Sequence, residues 1–167
     1  MAKEIYLSVD GKQVALTDEQ LKALGLYEEP KKNPFEIVEF ENEFYYISVN
    51  DEVEIMIDQR GKFSNKMFLI ANYCTDKELM QQRALHETLN RLLWRFSMEN
   101  DGDKIDWNDT SKPKYYILFD EENKCFEIDF YRYSHCPMIY FYTKKIAQRA
   151  IDKIVKPFME KHPDFIW

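Results

Sequence analysis

Residues 72–96 run without a glycine or a proline, the two residue types that most readily break a helix. No other part of the chain leaves so few ways to fold. Thr75 is followed three residues later by Glu78, the spacing of a capping box, which predicts a helix beginning at Asp76. Leu85, Leu89, Leu92, Leu93 and Phe96 recur at helical spacing and form one apolar stripe. Asn100, Asp101 and Gly102 end the run. A long amphipathic helix must bury its stripe, so the strand-like segments on both sides are read as its partners.

Those segments follow the same order twice. Tyr45-Tyr46-Ile47 opens a strand, residues 53–57 make a second and residues 67–73 a third, before the capping Thr75. Tyr115-Tyr116-Ile117 opens a strand, residues 125–131 make a second and residues 138–142 a third, before a capping Thr143. The first landmarks are offset by 70 residues and the threonines by 68. A near-constant offset fits an internal duplication, and fits equally two halves that converged on one pattern. Ahead of them, residues 4–16 read as a hairpin around Asp10-Gly11. Thr17 and Gln20 form a capping box for a short helix carrying Leu21 and Leu24, with Gly25 as its stop. Residues 28–34 are polar and hold two prolines, as a linker does. The expected fold is therefore α+β. Two βββα units, 35–100 and 110–167, have antiparallel sheets covered by helices, and an N-terminal hairpin and helix occupy 1–27. Pro157 falls inside the last helix and predicts a kink or restart near Lys156. The aromatic residues Phe165 and Trp167 are expected to pack back on the body or to meet a partner.

With 45% hydrophobic residues and 16% aromatic, the 167-residue chain has ample material for a core. No apolar run approaches the roughly 20 residues of a membrane helix, and Met-Ala-Lys-Glu-Ile-Tyr does not open a secretory signal. A cytoplasmic protein with no membrane partner is expected. Cys74, Cys125 and Cys136 then read as reduced thiols. None lies in a Cys-x-x-Cys pair, so no metal and no cofactor is assigned. Catalytic signatures are missing too. The four glycines cradle no phosphate, and no Gly-x-Ser-x-Gly or His-Glu-x-x-His occurs. The chain is read as a non-enzyme.

The most informative chemistry is the sorting of charge. The net charge is −7, which works against binding a nucleic-acid backbone. Residues 33–59 hold no Lys or Arg, and further acids gather at 99–109 and 120–129. Neighbouring carboxylates repel, so keeping them clustered is costly. Such clusters serve either as solvated faces or as an acidic surface for a basic groove on another protein. The candidates for that surface are Glu39, Glu41, Glu43, Asp101, Asp103, Asp106, Asp120, Glu121 and Glu122. The opposite sign collects on the last helix, where Lys145, Arg149, Lys153 and Lys156 share one face. That face is the alternative, nucleic-acid-binding candidate, with Tyr131, Arg132, Tyr133, His135, Tyr140 and Tyr142 as stacking groups. Arg83, Arg91 and Arg95 on the long helix are read as neutralising nearby carboxylates. Trp94 falls outside the leucine stripe.

A resemblance joins several of these segments. Glu43-Phe44-Tyr45-Tyr46-Ile47, Ala71-Asn72-Tyr73-Cys74-Thr75, Ile105-Asp106-Trp107-Asn108, Lys114-Tyr115-Tyr116-Ile117 and Ile139-Tyr140-Phe141-Tyr142 resemble blocks of small phage and prophage proteins of Gram-positive bacteria. The resemblance covers residues 35–160. Ala71 stands where those proteins are expected to have Gly, and Cys74 where they are expected to have Phe. What the resemblance implies is an accessory phage function in the cytoplasm of a bacterial host. An inhibitor of a host nuclease-based defence, of anti-CRISPR type, binding a CRISPR effector or another nuclease, is one such function. A structural phage protein is another. The oligomeric state stays open.

Overall fold

A computed structural model describes residues 6–9, 12–24, 33–133 and 138–167. The chain divides into two compact units, Met1–Glu36 and Ile37–Trp167. In the first, β1 (Tyr6–Val9) pairs antiparallel with β2 (Lys12–Ala15), Val9 facing Lys12. Thr17 caps α1 (Asp18–Ala23) through the expected capping box. Its hydroxyl accepts from the Gln20 N–H at 3.4 Å, and its own N–H donates to the Gln20 side chain at 3.0 Å. Asp10-Gly11, Gly25 and residues 28–32 of the expected linker lie outside the described residues.

The second unit is α+β and holds two separate antiparallel hairpins. In the first hairpin, β3 (Glu43–Ile47) pairs with β4 (Val53–Ile57), Tyr45 facing Ile55. Alternation along β3 sends Phe44 and Tyr46 into an aromatic core with Met67 and Tyr73. Phe44 and Tyr73 stack at 4.1 Å. Below the hairpin, Asp58 is 2% exposed and holds the segment together. Its carboxylate accepts from the Arg60 N–H at 2.7 Å and the Tyr73 hydroxyl at 2.8 Å, while the Val38 N–H donates to that hydroxyl at 3.1 Å.

The expected third strand over 67–73 does not form. Residues 62–69 are instead a helix, α2 (Lys62–Leu69), and strand pairing shrinks to one bridge, Tyr45 with Cys74. Asn72 supplies what the strand would have supplied. Its side-chain amide accepts from the Ile47 N–H and donates to the Ile47 carbonyl, each at 2.8 Å. The apolar run 67–70 belongs to the end of a helix and the turn after it, a distinction that periodicity alone does not make over so short a run.

The long helix is α3 (Lys77–Glu99). Its cap is Asp76 rather than Thr75: the Asp76 carboxylate accepts from the Leu79 N–H at 3.0 Å. Aspartate and threonine serve this position comparably, and the carboxylate also complements the positive helix end. Leu89, Leu93 and Phe96 are buried, and Leu85 and Leu92 pack beside them. Arg91 pairs with Asp51 at 2.6 Å and so ties α3 to the β3–β4 turn, and Arg83 pairs with Glu87 at 2.8 Å. After α3 the chain turns sharply. Asp101 adopts a left-handed φ of 68°, and Gly102 lies so close to Ser97 that a Cβ there would sit 2.7 Å from the Ser97 carbonyl carbon.

In the second hairpin, β5 (Lys114–Asp120) pairs with β6 (Cys125–Tyr131), Tyr115 facing Phe130. Residues 138–142 do not form the expected third strand either. One bridge joins Phe141 to Tyr115, and Thr143 then caps α4 (Lys144–Ala150) as expected, accepting from Ile146 at 3.2 Å. Both halves therefore share a hairpin, one bridge residue and a capped helix, and neither is a full βββα unit. Residues Ile151–Val155 widen into a π turn ahead of α5 (Lys156–Lys161). Pro157 lacks an N–H and crowds the preceding turn, so a widened segment meets the expected irregularity at Lys156. Ala147 and Ala150 are fully buried and let α4 approach closely. Leu89, Leu93 and Phe96 share a core with Ile151, Val155 and Phe158, and Phe165 packs into it. Trp167 lies edge-on to Phe126 at 5.0 Å, so the aromatic end packs back on the body. Among the described residues no helix is long and apolar enough to cross a membrane.

Candidate functional site

The direction of the β6 backbone organises the surface of the second hairpin. Tyr115 gives both its N–H and its C=O to Phe141, at 3.1 and 2.7 Å. Its cross-strand partner Phe130 must then point its own groups away from β5, since bonded and non-bonded pairs alternate along an antiparallel ladder. Phe126, Ile128 and Phe130 thus send side chains to one face and backbone groups to the open edge. The other face carries Cys125, Glu127, Asp129 and Tyr131 from β6, and Lys114, Tyr116, Leu118 and Asp120 from β5.

That second face is acidic and aromatic. At its turn end, Asp120 accepts from the Glu122 N–H at 2.8 Å, the Asn123 N–H at 3.0 Å and the Asn123 side chain at 2.6 Å. These donors, the Asn123 N–H first, hold its carboxyl below the ordinary range. Glu121 pairs with Lys124 at 2.5 Å, and Glu122 is exposed. Along the strand, Glu127 is exposed and Asp129 accepts from the Tyr116 hydroxyl at 3.0 Å. Burial, then that bond, pushes the Tyr116 hydroxyl up to about 12. Tyr116 stacks on Tyr131 at 5.4 Å and meets Tyr140 edge-on at 5.9 Å, and Trp107 meets Tyr140 at 5.0 Å. The loop carrying Trp107 is anchored to this end of the hairpin. The Lys114 ammonium donates to the Asp109 carbonyl at 2.5 Å and the Arg132 guanidinium to the Ser111 carbonyl at 2.7 Å.

The nine acids expected to form one surface divide among separate places. Glu39, Glu41 and Glu43 are exposed beside the β3–β4 hairpin. Asp101, Asp103 and Asp106 follow α3. Asp101 is paired with Lys104 at 2.6 Å, and Asp106 accepts from the Asn108 N–H at 2.9 Å in a local turn. Asp120, Glu121 and Glu122 share the β5–β6 turn. Glu127 and Asp129 join them on the same face. Acids at alternate positions of Cys125–Tyr131, with apolar residues between, carried that information in the sequence.

Asp120, Cys125 and Glu127 bring one ligand atom each to within 4.8 Å of one another. The Asp120 oxygens are already occupied by three turn donors, and we assign no metal to the group. On the basic helix face, Lys156 is paired with Asp152 at 2.8 Å and Arg149 lies over the Phe96 ring at 5.8 Å. Lys145 and Lys153 are exposed. His135 and Cys136 lie outside the described residues. A cleft of about 210 Å3 opens between α3 and Phe141, lined by Leu89, Leu93, Ile117 and Phe165 with His86 and Asn90 as its polar groups. Among the described residues no carboxylate or thiol side chain lines it.

The chain matches no protein-family model, and comparison with curated proteins and with solved structures found none similar to it.

Proposed function

We propose that the protein is a non-catalytic binding protein whose acidic, aromatic β5–β6 face takes a basic surface of another protein. The observation that carries this reading is the arrangement of Glu122, Glu127 and Asp129. They stand in one hairpin beside Tyr116, Tyr131 and Trp107, and among the described residues no Lys or Arg pairs with any of the three. Carboxylates without internal cations keep their field for a partner. It speeds encounter and selects among partners more than it adds affinity. Tyr131 and Trp107, part-exposed over the buried Tyr116, offer the apolar contact on which interfaces concentrate their energy. From the resemblance to phage proteins, the partner class is a host nuclease of a defence system, met in the bacterial cytoplasm and blocked by occlusion of its nucleic-acid groove.

The test is capture of host nucleases, CRISPR effectors with and without guide RNA included, by the wild type and by two charge-reversed variants. Glu122→Lys with Glu127→Lys and Asp129→Lys is expected to slow association roughly tenfold or more and to lose the partner at physiological salt. Lys145→Glu with Lys153→Glu is expected to keep it. The reverse pattern, with salt-sensitive DNA binding lost in the second variant, would establish the nucleic-acid reading instead.

A further inference from the structure

Among the described residues the two hairpins leave two open strand edges, and the chain treats them differently. In the first hairpin, Tyr45 gives its N–H and C=O to Cys74, at 2.7 and 3.0 Å. Its partner Ile55 therefore directs both backbone groups away from β3, and by alternation Val53 and Ile57 do the same. Bonds from the Asp58 N–H to Asn42 and from the Ser48 N–H to Glu52, each at 2.8 Å, fall where this phase requires them. The side chains of Val53, Ile55 and Ile57 share one face of β4. Ile55 is 52% exposed and Ile57 is 50% exposed. A bare edge with apolar, β-branched side chains is a template for another strand.

We propose that this edge pairs with a second copy of the chain, β4 against β4, antiparallel and centred on Ile55. The register is self-complementary. A two-fold axis at Ile55 places Ile55 opposite its own copy and Val53 opposite Ile57 of the other copy, all on the exposed apolar face. Within Val53–Ile57, Glu54 falls opposite Met56, so no carboxylate of the strand itself meets another directly across. The central pair must exchange two backbone hydrogen bonds, and the Ile55 groups already point outward to do so. The result is a four-stranded sheet in the order β3-β4-β4-β3.

The other edge argues the same point by contrast. Self-pairing of β6 about Ile128 would set Glu127 directly opposite Asp129 of the second copy, twice, and like charges facing each other across strands are unfavourable. The Asp129 carboxylate also accepts the outward Phe130 N–H at 2.8 Å, removing one of the donors a new strand would need. One edge is closed to self-pairing and the other is fitted for it.

Sedimentation velocity over a wide concentration series tests the proposal. The wild type is expected to move from the 20.3 kDa protomer to twice that mass as concentration rises. Ile55→Lys puts two ammonium groups face to face at the axis and is expected to hold the protein at the protomer mass with an unchanged far-ultraviolet spectrum. Lys145→Glu on α4, away from both edges, is expected to leave the association in place. Register is read separately, with Cys125 and Cys136 replaced by serine. Ile55→Cys is expected to form a disulfide dimer on mild oxidation, because directly opposed residues lie within bonding reach. Val53→Cys is expected to cross-link only when mixed with Ile57→Cys. A wild type that stays a protomer at every concentration overturns the proposal. So does a dimer that survives Ile55→Lys, or cross-linking in which Val53→Cys alone matches Ile55→Cys.

Discussion

Asn72 does the work of a missing strand, and removing its side chain measures how much that work contributes. The amide makes two bonds to Ile47, one in each direction, both at 2.8 Å, in a half-buried setting. A buried protein hydrogen bond contributes about 1 kcal/mol net, so Asn72→Ala should cost about 2 kcal/mol. For a chain of this size that corresponds to a fall in melting temperature of about 4–8 °C. Urea unfolding followed by tryptophan fluorescence and circular dichroism gives the value. Asn72→Asp separates the two bonds, since a carboxylate accepts from the Ile47 N–H but has nothing to donate to the Ile47 carbonyl. It should fall as far as Asn72→Ala or further. If Asn72→Ala stays within about 0.5 kcal/mol of wild type, or Asn72→Asp matches wild type, the amide is not replacing a strand.

Three further outcomes follow from the packing and the titrating groups. Gly102→Ala places a methyl group against the Ser97 backbone at 2.7 Å and should cost about 1–3 kcal/mol by thermal unfolding, because neither backbone yields cheaply. For Asp58, burial works to raise the carboxyl, but the Arg60 N–H, the Tyr73 and Ser64 hydroxyls and the Arg60 charge outweigh it and hold it below the ordinary range. Its contribution is then full above the ordinary carboxyl range and lost as pH falls below it, so Asp58→Asn should lower stability at neutral pH and flatten the acid limb of a stability profile. Burial first, then contact with Asp58, pushes the Tyr73 hydroxyl up to about 12 from 10.0, so its contribution is full below pH 10 and lost as pH rises towards 12, and Tyr73→Phe should flatten that alkaline limb.

How far the sequence reveals the fold depends on which physical signal each element carries. The long helix, the Thr17 box, the Thr143 cap and both hairpins rest on local rules, periodicity and side-chain capping, and those rules operate inside a few residues. The third strands failed because a short apolar run fits a strand or a helix equally until its neighbours are known. Residues 67–69 end in α2, and Asn72, a polar residue with no strand preference, took over the pairing. The acidic clusters were visible as composition, but composition does not say which carboxylates share a face. Lys104 and Lys124 claim Asp101 and Glu121, while turn backbone claims Asp106 and Asp120. Only the alternation in β6, read as two faces, indicates that Glu127 and Asp129 belong with the turn acids.

The most direct measurement for the binding face is hydrogen exchange on the protein alone and on its captured complex. Exchange is expected to slow over Lys114–Asp120 and Cys125–Tyr131 and over the Trp107 loop, with Lys144–Ala150 and Lys156–Lys161 unchanged. Protection confined to the C-terminal helices, with the β5–β6 hairpin exchanging as in the free protein, would contradict it.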